Sequence, residues 1–277
     1  MDTYAVLSDF QSPYQDDSAV EVACKICSDL PNLHLILNGD CADFRTIGRW
    51  PSRPGAYVVS DFAEELERVR SFISKLIRYI KPRRCDWLDG NHEWRVQRLF
   101  MRDTQLVRLL GEQKIADATS IRTLIGLDKL KIRYVGEYPK GMWLRDENVC
   151  PPEKNVYVAH GYRTRVKSGY TATAELDDKM CSSIVGHTHK LALKWKKAAG
   201  NRRFFGAESG TLSILAEAGP HAKYDSIPFN DPDALDHQQG FMIVHHEAGH
   251  WFPKTVPIFH EKNGRAVAEW AGRIYKS

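Results

Sequence analysis

No stretch of the 277-residue chain is apolar for long enough to cross a bilayer. The chain opens on Tyr4-Ala5-Val6-Leu7, which reads as a strand and not as a basic-then-apolar export signal, so a cytoplasmic location without a membrane partner is expected. Charge of one sign is scarce as well. The 39 Lys plus Arg against 35 Asp plus Glu leave a formal net charge of +4, which permits an anionic partner without demanding nucleic acid. The six cysteines are scattered through a chain too large to need a disulfide framework, which favours reduced thiols. Cys24-Lys25-Ile26-Cys27 has the spacing of a redox pair but falls in mid-helix, away from the N-terminal end that would stabilise a thiolate, so both sulfurs are read as packing groups. Internal repeats and low-complexity tracts are absent too, and one domain over residues 1–277 is expected.

What is present first is an alternation of apolar runs. Tyr4–Ser8, Leu33–Asn38 and the end of a third run at Asp86–Leu88 read as buried strands, with a helix over Asp17–Leu30 between the first two. Phe62, Leu66, Val69, Phe72, Ile73, Leu76, Ile77 and Ile80 recur at spacings of three and four, Ser60 and Asp61 suit the N-terminal end of that helix, and Lys81-Pro82 stops it. This is a βαβαβ unit on a parallel sheet. Phe44–Val59 has no period and is expected as a loop over the sheet's ligand edge. A helical segment runs from Glu93 to about Glu112. Beyond it, Leu130–Val135, Val156–Ala159, Ser182–Val185, Arg203–Gly206, Thr211–Leu215 and Phe241–His245 are candidate strands, and a second sheet facing the first would bring His160 and His187 to the edge that carries the carboxylates. Ala216–Gln239 reads as a surface excursion.

Five short polar motifs follow apolar runs: Ser8-Asp9-Phe10-Gln11, Gly39-Asp40-Cys41-Ala42-Asp43, Gly90-Asn91-His92-Glu93, His160-Gly161 and Gly186-His187-Thr188-His189. Taken singly, Asp9 or Asn91 reads equally well as a helix cap or a turn residue. Together the motifs carry enough oxygen and imidazole ligands for two divalent cations around a phosphate. Asp9, Asp40 and Asn91 each stand past the C-terminal end of a strand, where open parallel sheets place their ligands. A carboxylate there can bridge two cations, which acidify a shared water so that hydroxide can attack phosphorus in line. His245-His246 and His250 have metal-like spacing, but no carboxylate pattern joins them, and surface or hydrogen-bonded roles are expected.

These motifs resemble those of the calcineurin-like metallophosphoesterase superfamily over Asp9 to His189, about two thirds of the chain. The resemblance implies a four-layer αββα sandwich, two mixed β-sheets flanked by helices, around a dinuclear centre. One metal would take Asp9, Gln11, Asp40 and His189; the other would take Asp40, Asn91, His160 and His187, with Asp40 bridging. His92 would protonate the departing oxygen and Asp43 would orient His92. Gln11 stands where the family usually has histidine. Its amide oxygen is a neutral, hard and weaker ligand, which favours Mn²⁺ or Mg²⁺ over the softer alternatives Zn²⁺, Fe²⁺ and Ni²⁺.

The implied activity is hydrolysis of a phosphodiester, with a phosphomonoesterase or small-nucleotide hydrolase as the alternative. A non-catalytic scaffold is the third reading; Gln11 supports it, and the presence of both Asp43 and His92 opposes it. Ser/Thr protein phosphatases of the superfamily carry Arg-Gly after the second motif; Phe44-Arg45-Thr46 stands here, which disfavours that activity. Arg163, Arg165, Lys167, Lys190, Lys194, Lys196, Lys197, Arg202 and Arg203, interleaved with Tyr162, Tyr170, Trp195 and Phe204, suit single-stranded nucleic acid or a nucleotide. The same stretch reads equally as a solvated hairpin, because Leu191, Leu193 and Trp195 alternate with Lys194 and Lys196. The compact form and the ending Gln238–Val244 look, more loosely, like small phosphoesterases of phages and prophages.

Overall fold

Side chains along β1 (Asp2–Leu7) alternate between two cores, and that alternation sets the layers of the fold. Ala5 and Leu7 point into one core; Tyr4 and Val6 point into the other. The same division runs through β2 (Leu33–Asn38), β3 (Arg84–Leu88) and β10 (Gly240–Glu247), with Leu35, Leu37, Cys85, Trp87, Phe241 and Ile243 on the first side and Ile36, Leu88, Met242 and Val244 on the second. Strands covered on both faces are expected to be nearly continuous in apolar residues, as these are. The computed structural model describes residues 1–48, 61–146, 148, 150–198, 202–215 and 236–277.

The first sheet has six strands in the order β11-β10-β1-β2-β3-β4, where β4 is Arg133–Gly136 and β11 is His250–Pro257. β1 to β4 run parallel to one another, β10 runs antiparallel to β1, and β11 runs antiparallel to β10. Its first face is covered by α1 (Asp17–Ser28), through Ala19, Val22, Ala23 and Ile26, and α2 (Phe62–Ile80), through Leu66, Val69, Ile73, Leu76 and Ile80. Both helices start on an aspartate whose side chain accepts a backbone N–H, Asp16 from Ala19 and Asp61 from Glu64. Lys81, in the left-handed conformation, ends α2 ahead of Pro82.

The second face packs on a five-stranded mixed sheet, β5-β6-β7-β9-β8, made of β5 (Met142–Trp143), β6 (Val156–Ala159), β7 (Ser182–Val185), β8 (Leu191–Lys197) and β9 (Arg203–Ser209). Met142, Val156, Val158, Ile184, Phe205 and Ala207 supply its half of the inner core. Outside it lies α6 (Tyr170–Lys179), close enough to β9 that a Cβ on Gly206 would fall 2.4 Å from the Ala172 carbonyl oxygen. The layers are therefore helix, sheet, sheet, helix, as expected of an αββα sandwich. Among the described residues, no helix is long and apolar enough to cross a membrane.

Several local expectations need correction. The helical segment after Glu93 is not continuous: α3 (Trp94–Met101), α4 (Thr104–Leu110) and α5 (Glu112–Thr119) replace it, and the Asp103 carboxylate accepts the N–H of Gln105 to start the second of these. Thr211–Leu215 forms isolated bridges to Gln15 and Gln239 instead of a strand, because its backbone N–H groups go to separate segments, Thr211 to Gln238, Leu212 to Asp9 and Ile214 to Tyr14. The strand expected over Leu130–Val135 begins later, at Arg133, behind a short helical turn over Leu127–Leu130. A C-terminal sheet of β12 (Phe259–His260), β13 (Ala266–Trp270) and β14 (Arg273–Lys276) was not anticipated; it adds Ala266, Ala268, Trp270 and Tyr275 to the helix-side core. Of the expected loop, Arg45–Ile47 forms a helical turn, and residues 49–60 lie outside the described residues, as do residues 216–235 of the expected excursion. All six cysteines are free and buried, and burial pushes the Cys24 thiol up to about 12.

Candidate metal centre

Parallel strands of both sheets end at one rim. Asp9, Asp40 and Asn91 follow β1, β2 and β3, and His160 and His187 follow β6 and β7. The Asn38 side chain donates to the Ala159 carbonyl oxygen at 3.1 Å and the Asn38 carbonyl oxygen accepts from His160 Nδ1 at 2.8 Å, tying the two sheets together at that edge. Five of the seven candidate ligands are held with positive φ: Asp9 at 55°, Gln11 at 54°, Asp40 at 48°, His187 at 65° and His189 at 55°. A left-handed backbone costs a non-glycine residue about 1–3 kcal/mol, so the surrounding structure must impose it, and such strain gathers at functional sites. Here the Asp9 and Asp40 turns brace each other, with Asp9 N–H donating to the Gly39 carbonyl and Gln11 N–H to the Asp40 carbonyl. Gly39 and Gly90 permit this crowding: a Cβ on Gly39 would lie 2.6 Å from the His160 ring, and one on Gly90 would lie 2.1 Å from Asp40 Oδ1.

The two oxygens of Asp40 face different partners. Oδ1 lies 3.3 Å from His160 Nε2, which is itself 3.2 Å from Asn91 Oδ1; Oδ2 lies 3.3 Å from the Gln11 amide. Asp9 Oδ1 is buried without a hydrogen bond, 3.2 Å from His189 Nε2, while Asp9 Oδ2 accepts the His187 N–H at 3.1 Å. Ligand atoms of Asp40, His160 and His187 lie within 4.8 Å of one another. Donor atoms bound at about 2.1 Å to one cation sit roughly 3 Å apart, so these spacings and the unpartnered carboxylate oxygen fit divalent metal. The Gln11 amide nitrogen is the atom turned toward Asp40 Oδ2 and His189 Nε2, at 3.3 and 3.5 Å; a half-turn of the amide presents its oxygen there.

Electrostatics agree with that fit. Burial alone would raise Asp40, but the His160 and His92 imidazoles hold it well below the usual carboxylate range, and Asp9 is lowered against burial by His189 and His160. Burial disfavours charge on His160, yet Asp40 and Asp9 drive it up to about 10. With Nδ1 donating to Asn38, the second proton stands on Nε2 between Asp40 Oδ1 and Asn91 Oδ1, positive charge at the point where a cation would serve the same three atoms. His187 is driven the other way, down to about 4 by burial and by His160, and stays a neutral lone-pair donor at pH 7.

His92 stands beside the cluster. Its Nε2 is 3.6 Å from Asp40 Oδ2, its backbone N–H donates to Asp40 Oδ1, and its Nδ1 is 2.9 Å from Asp43 Oδ1, off the straight donor line. Burial lowers its pKa, and Asp40 and Asp43 more than reverse that, leaving it raised. The structure thus brings all nine candidate residues to one rim.

Two neighbours escaped sequence reasoning. Glu93 is buried, and its carboxylate accepts the N–H groups of Asp40 at 2.9 Å, Ala42 at 3.0 Å and Gly90 at 2.8 Å, locking the second motif to the third. Its place inside Gly90-Asn91-His92-Glu93 was the available signal. Lys190, assigned to the basic surface, is fully buried, with Nζ donating to the carbonyls of Arg165 at 2.6 Å and Val166 at 2.7 Å. Phe204 leaves that surface too, because β9 is enclosed from Phe204 to Ser209. Arg163 and Lys196 pair with Asp178 and Asp177 of α6, which offsets their charge. Away from the rim, His245 Nδ1 lies 3.2 Å from the Thr3 hydroxyl and His246 packs beside Arg145, which are hydrogen-bonding roles.

Fold and site together define an α/β sandwich protein with an Asp–Asn–His cluster, suited to divalent metal, at one edge of its facing sheets. No family model matches the chain. It is 22% identical over 260 residues to the Gene 54 protein of Mycobacterium phage D29, covering 91% of this chain and 92% of that protein. Similar solved structures include Vps29 from Chaetomium thermophilum (TM-score 0.46, 9% identity, 99% of this chain and 95% of that one). A single mutant of Vps29 from Entamoeba histolytica (0.42, 11%, 99% and 97%) and a predicted phosphoesterase from Streptococcus pneumoniae (0.38, 12%, 100% and 97%) are also similar.

Proposed function

We propose that the protein is a dinuclear metal-dependent phosphoesterase that hydrolyses a phosphodiester of a nucleotide or nucleic acid. The observation that carries this reading is the division of Asp40, one carboxylate oxygen toward His160 and Asn91 and the other toward Gln11. Asp9, Gln11, Asp40 and His189 would hold one cation, and Asp40, Asn91, His160 and His187 the other. Bound there, two divalent ions supply positive charge for phosphoryl oxygens and make water more acidic. Gln11 tilts the first site toward Mn²⁺ or Mg²⁺. His92 presents Nε2 to the same space as Asp40 Oδ2 and delivers a proton to the departing ester oxygen. Asp43, 2.9 Å from Nδ1, fixes the imidazole so that Nε2 faces inward. Glu93 keeps the Asp40 and Asn91 turns in register by holding three backbone N–H groups.

Protein stripped of metal and resupplied with Mn²⁺, Mg²⁺, Zn²⁺ or Ni²⁺ tests the reading. Hydrolysis of bis-p-nitrophenyl phosphate that depends on added metal, is best with Mn²⁺ and exceeds that of p-nitrophenyl phosphate is expected. The reverse preference identifies a phosphomonoesterase, and turnover of neither ester under any metal contradicts the proposal.

A further inference from the structure

A line of aromatic rings leads outward from the His160 side of the cluster, and neither the ligand set nor the proton donor uses it. The His160 ring lies 5.3 Å from His187 on one side and 6.3 Å, edge-on, from Tyr138 on the other; Tyr138 in turn lies 5.8 Å from Trp94. Trp94 opens α3 directly after Asn91, His92 and Glu93, so the turn that carries a candidate ligand and the proton donor also carries the outermost ring. Tyr162, two residues beyond His160 in the chain, is 61% exposed. Guanidinium groups lie over the outer members: Arg98 is 4.8 Å from the Trp94 ring and Arg163 is 5.3 Å from the Tyr162 ring.

Aromatic rings beside a candidate phosphate site, with guanidinium groups over the Trp94 and Tyr162 rings, match one chemistry well. A nucleobase is planar, stacks on aromatic rings whatever its sequence identity, and lies one sugar away from its 5′-phosphate. An acyl chain would want an apolar trough without guanidinium groups, and a peptide would want backbone partners. We infer that Tyr138 and Tyr162 form a stacking platform for the nucleobase of a phosphate ester whose phosphate sits at the Asp40 cluster. The inference rests on the proposed phosphoesterase reading and names its substrate class. It also places recognition beside His160 and not along β8 and β9, since Lys190, just ahead of β8, and Phe204 in β9 are buried.

Affinity measured apart from turnover separates this inference from the reading beneath it. In a His92→Ala background with Mn²⁺, calorimetry compares thymidine 5′-monophosphate with methyl phosphate, which shares the phosphate and lacks the base. The nucleotide is expected to bind about tenfold more tightly or better. Tyr138→Leu should bring the ratio down several-fold and Tyr138→Phe should keep it, because stacking needs the ring and not the hydroxyl. Tyr162→Ala, at an exposed position, should reduce the ratio with the unfolding temperature unchanged. A ratio near one, or a ratio that Tyr138→Leu and Tyr162→Ala leave untouched, overturns the platform even if the phosphodiester is hydrolysed. A high ratio that falls with both variants upholds it even if the turnover panel is blank. A 5′-phosphorylated oligothymidylate that binds more tightly than the mononucleotide assigns the platform to single strands; equal affinity assigns it to free nucleotides.

Discussion

Replacing His92 with alanine is expected to lower kcat on a dinucleotide by about 10²- to 10⁴-fold, and by less on bis-p-nitrophenyl phosphate, while bound metal stays as in the wild type. His92 contacts Asp40 through its backbone N–H and approaches it at 3.6 Å through Nε2, but the ligand spacings of the cluster are set by Asp9, Asp40, Asn91 and the other three histidines. On the proposed reading, loss of the imidazole would remove the proton for the leaving oxygen and leave the candidate ligands in place. The effect should also depend on the leaving group. An ester that departs as p-nitrophenolate needs little protonation, whereas an alkoxide needs it fully, so a dinucleotide should suffer more than the nitrophenyl ester. Equal rates for the variant and the wild type on both esters, measured at steady state, would show that His92 is not the proton donor.

The second large effect concerns Asp40. Asp40→Asn keeps the shape of the side chain and removes its charge: Asp40 is the leading influence raising His160, and it draws on His160 and His92 to stay ionised despite full burial. Without it His160 should lose its proton more readily and both cations should lose their shared ligand. Metal affinity is expected to fall by more than the roughly 10–100-fold seen when only the hydrogen-bond partner of a metal ligand is removed. Added Mn²⁺ should no longer raise the unfolding temperature, since a ligand stabilises the native state only insofar as it binds there. Thermal unfolding of wild type and Asp40→Asn across a Mn²⁺ titration measures this directly, and the same Mn²⁺-induced shift in both proteins would remove Asp40 from the ligand set.

The central strands and the large helix were legible because their periods are local. β1, β2 and β3 are buried on both faces and read as continuous apolar runs, and α2 shows its stripe at spacings of three and four. The motifs were legible for a related reason, since each sits at the end of such a run, where a parallel sheet exposes its turns. What escaped was decided by distant partners. Thr211–Leu215 looks like a strand until its backbone N–H groups are seen divided among Gln238, Asp9 and Tyr14, the last two about two hundred residues away in the chain. Lys190 looks like one more surface cation until its ammonium group is seen donating to the loop carbonyls of Arg165 and Val166. β11 carries Pro253 and Pro257 and alternates weakly, as an edge strand can, and the small C-terminal sheet owes its burial to α1. Glu93 was named with its motif but given no role, because its partners are the backbone N–H groups of other turns.

Anomalous diffraction from crystals grown with Mn²⁺ tests the account at its centre. Two peaks are expected, one on each side of the Asp40 carboxylate and about 3.5–4 Å apart, the first reached by Asp9, Gln11 and His189 and the second by Asn91, His160 and His187. A single peak that leaves one Asp40 oxygen uncoordinated, or peaks remote from Asp40, would contradict it.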